Sequence, residues 1–259
     1  MLRPRITPCL LVQNGGLVKT VQFKDAKYVG DPVNAVKIFN EKETDELMVL
    51  DIDATVQAAE PNFRLITQFA IECRMPLCYG GGIKTAEQAK RIIGLGVEKV
   101  AISSAALDQP GLLLSIAREI GSQSVVVVLD ARKRSRGDGY EAWTHNGRRN
   151  TGKDPISIAG DAESLGVGEI VINSIDNDGM MNGYDLELAK RMRQATRLPI
   201  TVLGGAGSLA DMGSLISSCG VVGAAAGSLF VFKGLYRAVL INYPDAAQKE
   251  KLIRSALGL

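Results

Sequence analysis

The sequence predicts an α/β protein folded as a single (β/α)8 TIM barrel over residues 1–259, made of two related half-barrels. Three observations carry this. Strand-like apolar runs alternate from end to end with stretches whose apolar residues recur every three or four positions. The 259 residues match the roughly 250 typical of one such barrel. Finally, Met75-Pro-Leu-Cys-Tyr-Gly-Gly-Gly-Ile83 is echoed by Leu198-Pro-Ile-Thr-Val-Leu-Gly-Gly-Ala206 with one residue of slippage, Gly80 and Gly204 standing 124 residues apart (204 − 80).

The strands are read at Ile6–Val12, Leu47–Ile52, Pro76–Tyr79, Val100–Ile102, Ser124–Asp130, Ile170–Asn173, Pro199–Leu203 and Gly223–Ala226. Ser124-Val-Val-Val-Val-Leu-Asp130 is the clearest, a β-branched run suited to burial on both faces and ending in an acid. Helices are read at Asp31–Phe39, Phe63–Ile71, Thr85–Leu95, Gly111–Ile120, Pro155–Leu165, Asp185–Ala195 and Ser208–Ile216. Thr85 with Gln88 forms a capping-box pattern, Ser208 with Asp211 a weaker one, and Asp154-Pro155 sets a cap before a proline at the first helical position. Arg132 to Gly152 is the one long excursion, read as a hairpin or flap over the top. Its basic residues suit either a solvated loop or ligand contact, and its His145, the only histidine, reads as a polar flap residue.

Composition narrows the function. Thirty basic against 28 acidic residues create no strong field for nucleic acid or an anionic membrane, so an anionic ligand must be held locally. Cys9, Cys73, Cys78 and Cys219 lack metal-type spacing, and no metal or other cofactor is expected. The most apolar tract, Cys219 to Phe232, is broken by glycines and too short to span a bilayer. A soluble, cytoplasmic protein is expected.

In a parallel barrel the chemistry sits at the C-terminal strand tips, where the loops converge. Asp130 ends the fifth strand, and is read either as a catalytic carboxylate or as a cap for the next loop. Asp51 and Asp53 end the second strand, and Asp176 and Asp178 follow the sixth; loop capping is the reading for Asp53 and Asp178. Glycine lets backbone N–H groups approach a phosphate closely. Two such turns are visible: Gly80-Gly81-Gly82 with Ser103-Ser104, and Gly204-Gly205 with Gly227-Ser228. The repeat makes them quasi-symmetric, which implies a ligand with two anionic ends. Lys19, in a Gly15-Gly16 loop after the first strand, could close over substrate as a mobile cation or stand solvated. At the other end Arg5, Glu46, Lys99 and Glu169 each fall just before a strand, suggesting a stabilising salt-bridge ring at the barrel bottom.

Ordered motifs over nearly the whole chain resemble the cyclase subunit of imidazole glycerol phosphate synthase, a HisF-like barrel. They include Arg5-Ile6, Gly16-Leu-Val-Lys19, Gly30-Asp-Pro32, Asp45-Glu-Leu47, Leu50-Asp-Ile52 and Gly80-Gly-Gly-Ile83. Gly121-Ser-Gln123, Val128-Leu-Asp130-Ala131, Asn150-Thr-Gly152, Asp178-Gly179, Gly183-Tyr-Asp185 and Gly204-Gly-Ala-Gly207 continue the series. The resemblance implies a glutaminase docked at the N-terminal face, ammonia passing through the barrel, and its use at the top on a bisphosphate ribulosyl substrate. It also makes Arg5, Glu46, Lys99 and Glu169 an ammonia gate.

The top departs from that pattern. The resemblance calls for two aspartates, at the tips of strands 1 and 5, as acid and base; Asp130 matches one, but Leu11 stands at the other. Ser103, Met180 and Leu203 replace the family's usual Asn, Thr and Ser. A retained ammonia route with altered chemistry looks like the branch linked to acetamidino sugars of bacterial surface polysaccharide, the O-antigen of lipopolysaccharide. There the resemblance implies a phosphorylated or nucleotide-linked sugar substrate, a glutaminase and a separate amidotransferase. The alternatives are the cyclase of histidine biosynthesis and a non-catalytic docking or activating partner of a glutaminase.

Overall fold

The computed structural model describes residues 3–234 and 236–259. Eight parallel strands form the barrel: β1 (Arg5–Gln13), β2 (Leu47–Asp51), β3 (Leu77–Gly80), β4 (Lys99–Ile102), β5 (Val125–Lys133), β6 (Glu169–Ser174), β7 (Ile200–Leu203) and β8 (Gly223–Ala226). Each pairs in parallel with its neighbour, and both β8 with β1 and β5 with β6 are paired, so the sheet closes. All eight strands read from the sequence are present.

Eight of the helices among the described residues pack outside: α1 (Pro32–Glu41), α2 (Phe63–Glu72), α3 (Ala86–Gly94), α4 (Gly111–Ile120), α5 (Pro155–Asp161), α6 (Leu186–Ala195), α7 (Leu209–Cys219) and α8 (Ala246–Leu257). Their starts follow local chemistry. Thr85 and Ser208 both close full capping boxes, with Gln88 and Asp211, and Asp154 accepts from the Ile156 amide ahead of Pro155. The eighth helix has no counterpart in the sequence reading. It begins with a third capping box, Asp245 with Gln248, and docks on α7 through Ile253 and a Ser217 Oγ bond to the Ala256 carbonyl at 2.9 Å.

Alternation along each strand sorts side chains into two cores. Outward residues such as Ile6, Leu10, Val49, Val127 and Ile172 pack beneath the helices with Phe39 and Phe69. Inward residues Cys9, Met48, Cys78, Ala101, Val126, Val171 and Ala225 fill the barrel interior. All four cysteines are free, with Cys9 and Cys78 buried. None of the described helices is long and apolar enough to cross a membrane.

Two hairpins rise from the top. The stretch after β1, read as a loop, is instead a strand: Gly16–Val21 pairs antiparallel with β1 and with Lys24–Gly30. Asn14 and Gly15 make the two-residue turn with φ of 50° and 74°, the twist that joins right-handed strands tightly. The expected flap is a hairpin, β5 continuing past Asp130 to pair antiparallel with Tyr140–Thr144. His145 lies in its turn at φ 54°.

Candidate functional site

Because both glycine turns and the acidic strand tips open on one end, the C-terminal face encloses a pocket. Leu11, Lys19, Asp51, Gly81, Gly82, Ser103, Ser104, Asp130, Gly204, Gly205, Gly227 and Ser228 all line it. Of the residues read as substrate contacts, Asp176 does not. It accepts from the Lys133 amide at 2.9 Å and faces Arg132 at 3.7 Å, anchoring the flap. Asp53 caps the Asn14 amide, and Asp178 accepts from Thr20 Oγ1 and the Phe23 amide, so both serve loops as read.

Asp130 points inward from β5. Asn173, beside it on β6, donates its Nδ2 to Oδ1 at 3.0 Å. Burial pushes the Asp130 carboxyl up to about 7; the Asn173 bond pulls it down, and the Asp178 charge adds to the rise. Ser103 also favours its ionised form, yet the hydroxyl meets no partner at hydrogen-bonding geometry. Asp51 is raised by burial, against bonds from the Asp53 and Ala54 amides. A group that titrates near neutrality within a pocket can give or take a proton at ordinary pH.

The glycines are needed sterically. Gly81 and Gly205 adopt φ of 125° and 110°, and a Cβ would fall 2.5 Å from the Asp51 carbonyl and 2.1 Å from the Gly183 carbonyl. Ser104 is partly engaged already, its Oγ accepting from the His145 amide at 3.0 Å, which ties the flap to the first turn.

Lys19 departs from expectation. It is a buried strand residue, not a mobile loop cation, and it donates Nζ to the Cys9 carbonyl at 2.6 Å. Burial lowers its pKa, against the charges of Cys9 and Asp178. Its ammonium lies where a Gly227 Cβ would come within 2.5 Å, so Lys19 and the second turn share one space.

At the opposite end the four charged residues close a ring. Arg5 contacts Glu46 at 2.9 Å and Glu169 at 2.5 Å, and Lys99 bridges the same two carboxylates at 2.7 and 2.8 Å. Burial and neighbouring Glu169 raise Glu46 despite both cations. Burial opposes ionisation of Glu169 too, but Arg5 and Lys99 outweigh it and hold that group below its ordinary range. Thr201 completes the cluster through Glu169 Oε1 at 2.6 Å. It was not singled out in the sequence, where one Thr inside an apolar strand gives no charge pattern. Asn173, a polar residue at a strand tip, carries the same signal in the sequence that marks Asp130.

A closed barrel with an acid near neutral pKa and paired glycine turns at its C-terminal mouth has the architecture of an enzyme-type (β/α)8 protein. The family model described as histidine biosynthesis protein matches residues 5–236, and the chain belongs to that family, as a HisF-like subunit. It is 55% identical over 252 residues to "Putative imidazole glycerol phosphate synthase subunit HisF" of Leptospira borgpetersenii, covering 97% of this chain and 99% of the relative. It is 54% identical over 253 residues to "Putative imidazole glycerol phosphate synthase subunit hisF3" of Vibrio vulnificus, covering 98% and 97%. With "Imidazole glycerol phosphate synthase subunit HisF" of Exiguobacterium sibiricum it shares 40% over 230 residues, covering 89% and 91%.

Proposed function

We propose that this subunit receives ammonia from a glutaminase docked over its N-terminal face and delivers it to the top pocket to form an acetamidino group on a nucleotide-linked sugar. The observation that carries the reading is the pairing of an intact charged ring with Leu11 in the pocket. A leucine transfers no proton, and loss of one member of an acid–base pair costs about 10²- to 10⁴-fold in rate. Arg5, Glu46, Lys99 and Glu169 then act as the gate for ammonia. A second hollow at the same end, lined by Lys37, Glu41, Arg74 and the exposed Ile71, supplies apolar and charged surface for the glutaminase.

In the pocket, ammonia attacks the amide carbon after a co-reactant of the nucleoside triphosphate class has activated the amide oxygen. A C–N bond forms, the activated C–O bond breaks, and Asp130 takes a proton from the attacking nitrogen. A separate amidotransferase performs the activation. The two glycine turns, with Ser104 and Ser228, hold the phosphates, and Lys19 neutralises the second. Asp51 orients the ligand from the side.

A second reading, suggested by the names of the relatives, is the cyclase of histidine biosynthesis, which tolerates Leu11, with Asp130 and Lys19 carrying the reaction. Ammonium salts with the imidazole-pathway bisphosphate intermediate separate the two: turnover at ordinary enzyme rates overturns the sugar reading. If the barrel serves only to dock a glutaminase, Asp130→Asn leaves partner-dependent activity intact. A sharp fall with normal partner binding excludes that third role.

A further inference from the structure

The layer of inward side chains at the pocket floor is divided in two. Strand register puts Leu11 level with Leu50, and Asn173 level with both Asp130 and Leu203. Passing round the barrel, Ser103, Asp130 and Asn173 come consecutively from the ends of β4, β5 and β6. Leu203, Leu11 and Leu50 come from β7, β1 and β2, with Gly227, just after β8, between the first two. All six line the pocket. Asp130 on the fifth strand therefore faces Leu11 on the first across the barrel.

The polar half is incomplete. Ser103 Oγ and Asn173 Oδ1 are both buried without a hydrogen-bond partner, and Asn173 is only 5% exposed. Gly204 leaves that carbonyl oxygen its space, since a Cβ there would come within 3.0 Å. Buried polar atoms in native proteins are nearly always paired, so two orphans on one pocket wall mark where a ligand bonds. A carbonyl oxygen accepts only, so the ligand must bring an N–H or O–H donor to Asn173; Ser103 can give or accept. The facing leucines offer no partner, and a hydroxyl pressed against them would be dehydrated unpaired.

From this divided floor we infer that the pocket selects an N-acyl amide or amidine group, bonding its polar edge to Ser103, Asp130 and Asn173 and seating its methyl against Leu11, Leu50 and Leu203. The inference rests on the sugar reading above and specifies how the reacting group lies. Asn173 and the three leucines become specificity-determining positions, distinct from the phosphate-holding turns.

Calorimetric titration of the full chain with UDP-N-acetylglucosamine and with UDP-glucose tests it, because the two probes share the diphosphate and differ in the acetamido group. The acetamido sugar is expected to bind about ten- to a hundredfold tighter, the range for a small group filling an apolar pocket. Leu203→Ser and Asn173→Ala should each bring that ratio close to one. Leu11→Ser serves as the second apolar-wall variant if Leu203→Ser fails to fold by thermal melting. Equal affinity of the wild type for both sugars overturns the inference and leaves the sugar reading standing. Binding of neither sugar, with tight binding of the imidazole-pathway bisphosphate, overturns the reading beneath it.

Discussion

Replacing Lys99 by Met keeps the length of an apolar stem and removes one charge from the ring. The Lys99 side chain is only 12% exposed and its ammonium bonds two carboxylates that are themselves 5% and 7% exposed. Without it, Glu46 and Glu169 share Arg5 alone, and one buried charge is left uncompensated. Breaking a buried pair in this way costs about 3 to 5 kcal/mol. By contrast Lys90 and Glu119, at 68% and 46% exposure, form a surface pair worth about 0 to 1 kcal/mol.

The pH dependence has a definite sign. Glu46 is already raised by burial and by Glu169, and loss of Lys99 raises it further. A carboxyl whose folded pKa exceeds its unfolded value holds more protons when folded, so stability falls as pH rises between the two values. The Lys99→Met deficit is therefore larger at about pH 8 than at about pH 5. Urea unfolding of the wild type, Lys99→Met and Lys90→Met at both pH values measures this. A Lys99→Met deficit no larger than that of Lys90→Met, or one identical at both pH values, refutes the desolvated-ring account.

Asp130, pushed up to about 7 by burial, makes the native state lose stability as pH rises from the ordinary carboxyl range to neutrality; Asp130→Asn should raise the unfolding free energy from urea titration near pH 8 by about 1 to 3 kcal/mol and change it little near pH 4. Gly205→Ala forces a Cβ to within 2.1 Å of the Gly183 carbonyl and should lower the melting temperature, whereas Gly94→Ala, ending α3 in open space, should raise stability by up to about 1 kcal/mol. Asp245→Ala removes the cap of α8 and should cost about 1 kcal/mol by the same unfolding measurement.

Periodicity made the barrel legible because each strand and helix buries one kind of surface, and burial writes its period into the sequence. The pieces that escaped lack that signature. Lys24–Gly30 is exposed along most of its length, so no alternation marked it; the Asn14-Gly15 turn was the available signal. The eighth helix buries Ile253 alone, too little for a stripe, although its Asp245 and Gln248 box stood in plain view. In the site, Asp130 and the glycine turns could be found because charge and flexibility at strand tips are chemically conspicuous. Asp176 could not be told from a ligand contact, since its use depends on where the flap folds back. Lys19 reads as a loop residue for the same reason: its burial is a property of the hairpin, not of its neighbours in sequence.

The nine residues of β1 connect the two ends of the molecule. Arg5 opens the strand in the charged ring, and four residues on, about 13 Å away at ordinary strand rise, the Cys9 carbonyl holds Lys19. Both groups belong to one backbone segment clamped by β8, β2 and the Gly16–Val21 strand. A strand gripped on all sides cannot slide by one residue without turning every inward group outward. β1 thus acts as the molecule's ruler: the interval between the charged ring and the pocket is a fixed number of peptide units, and a single-residue deletion between Arg5 and Cys9 would dislocate both at once.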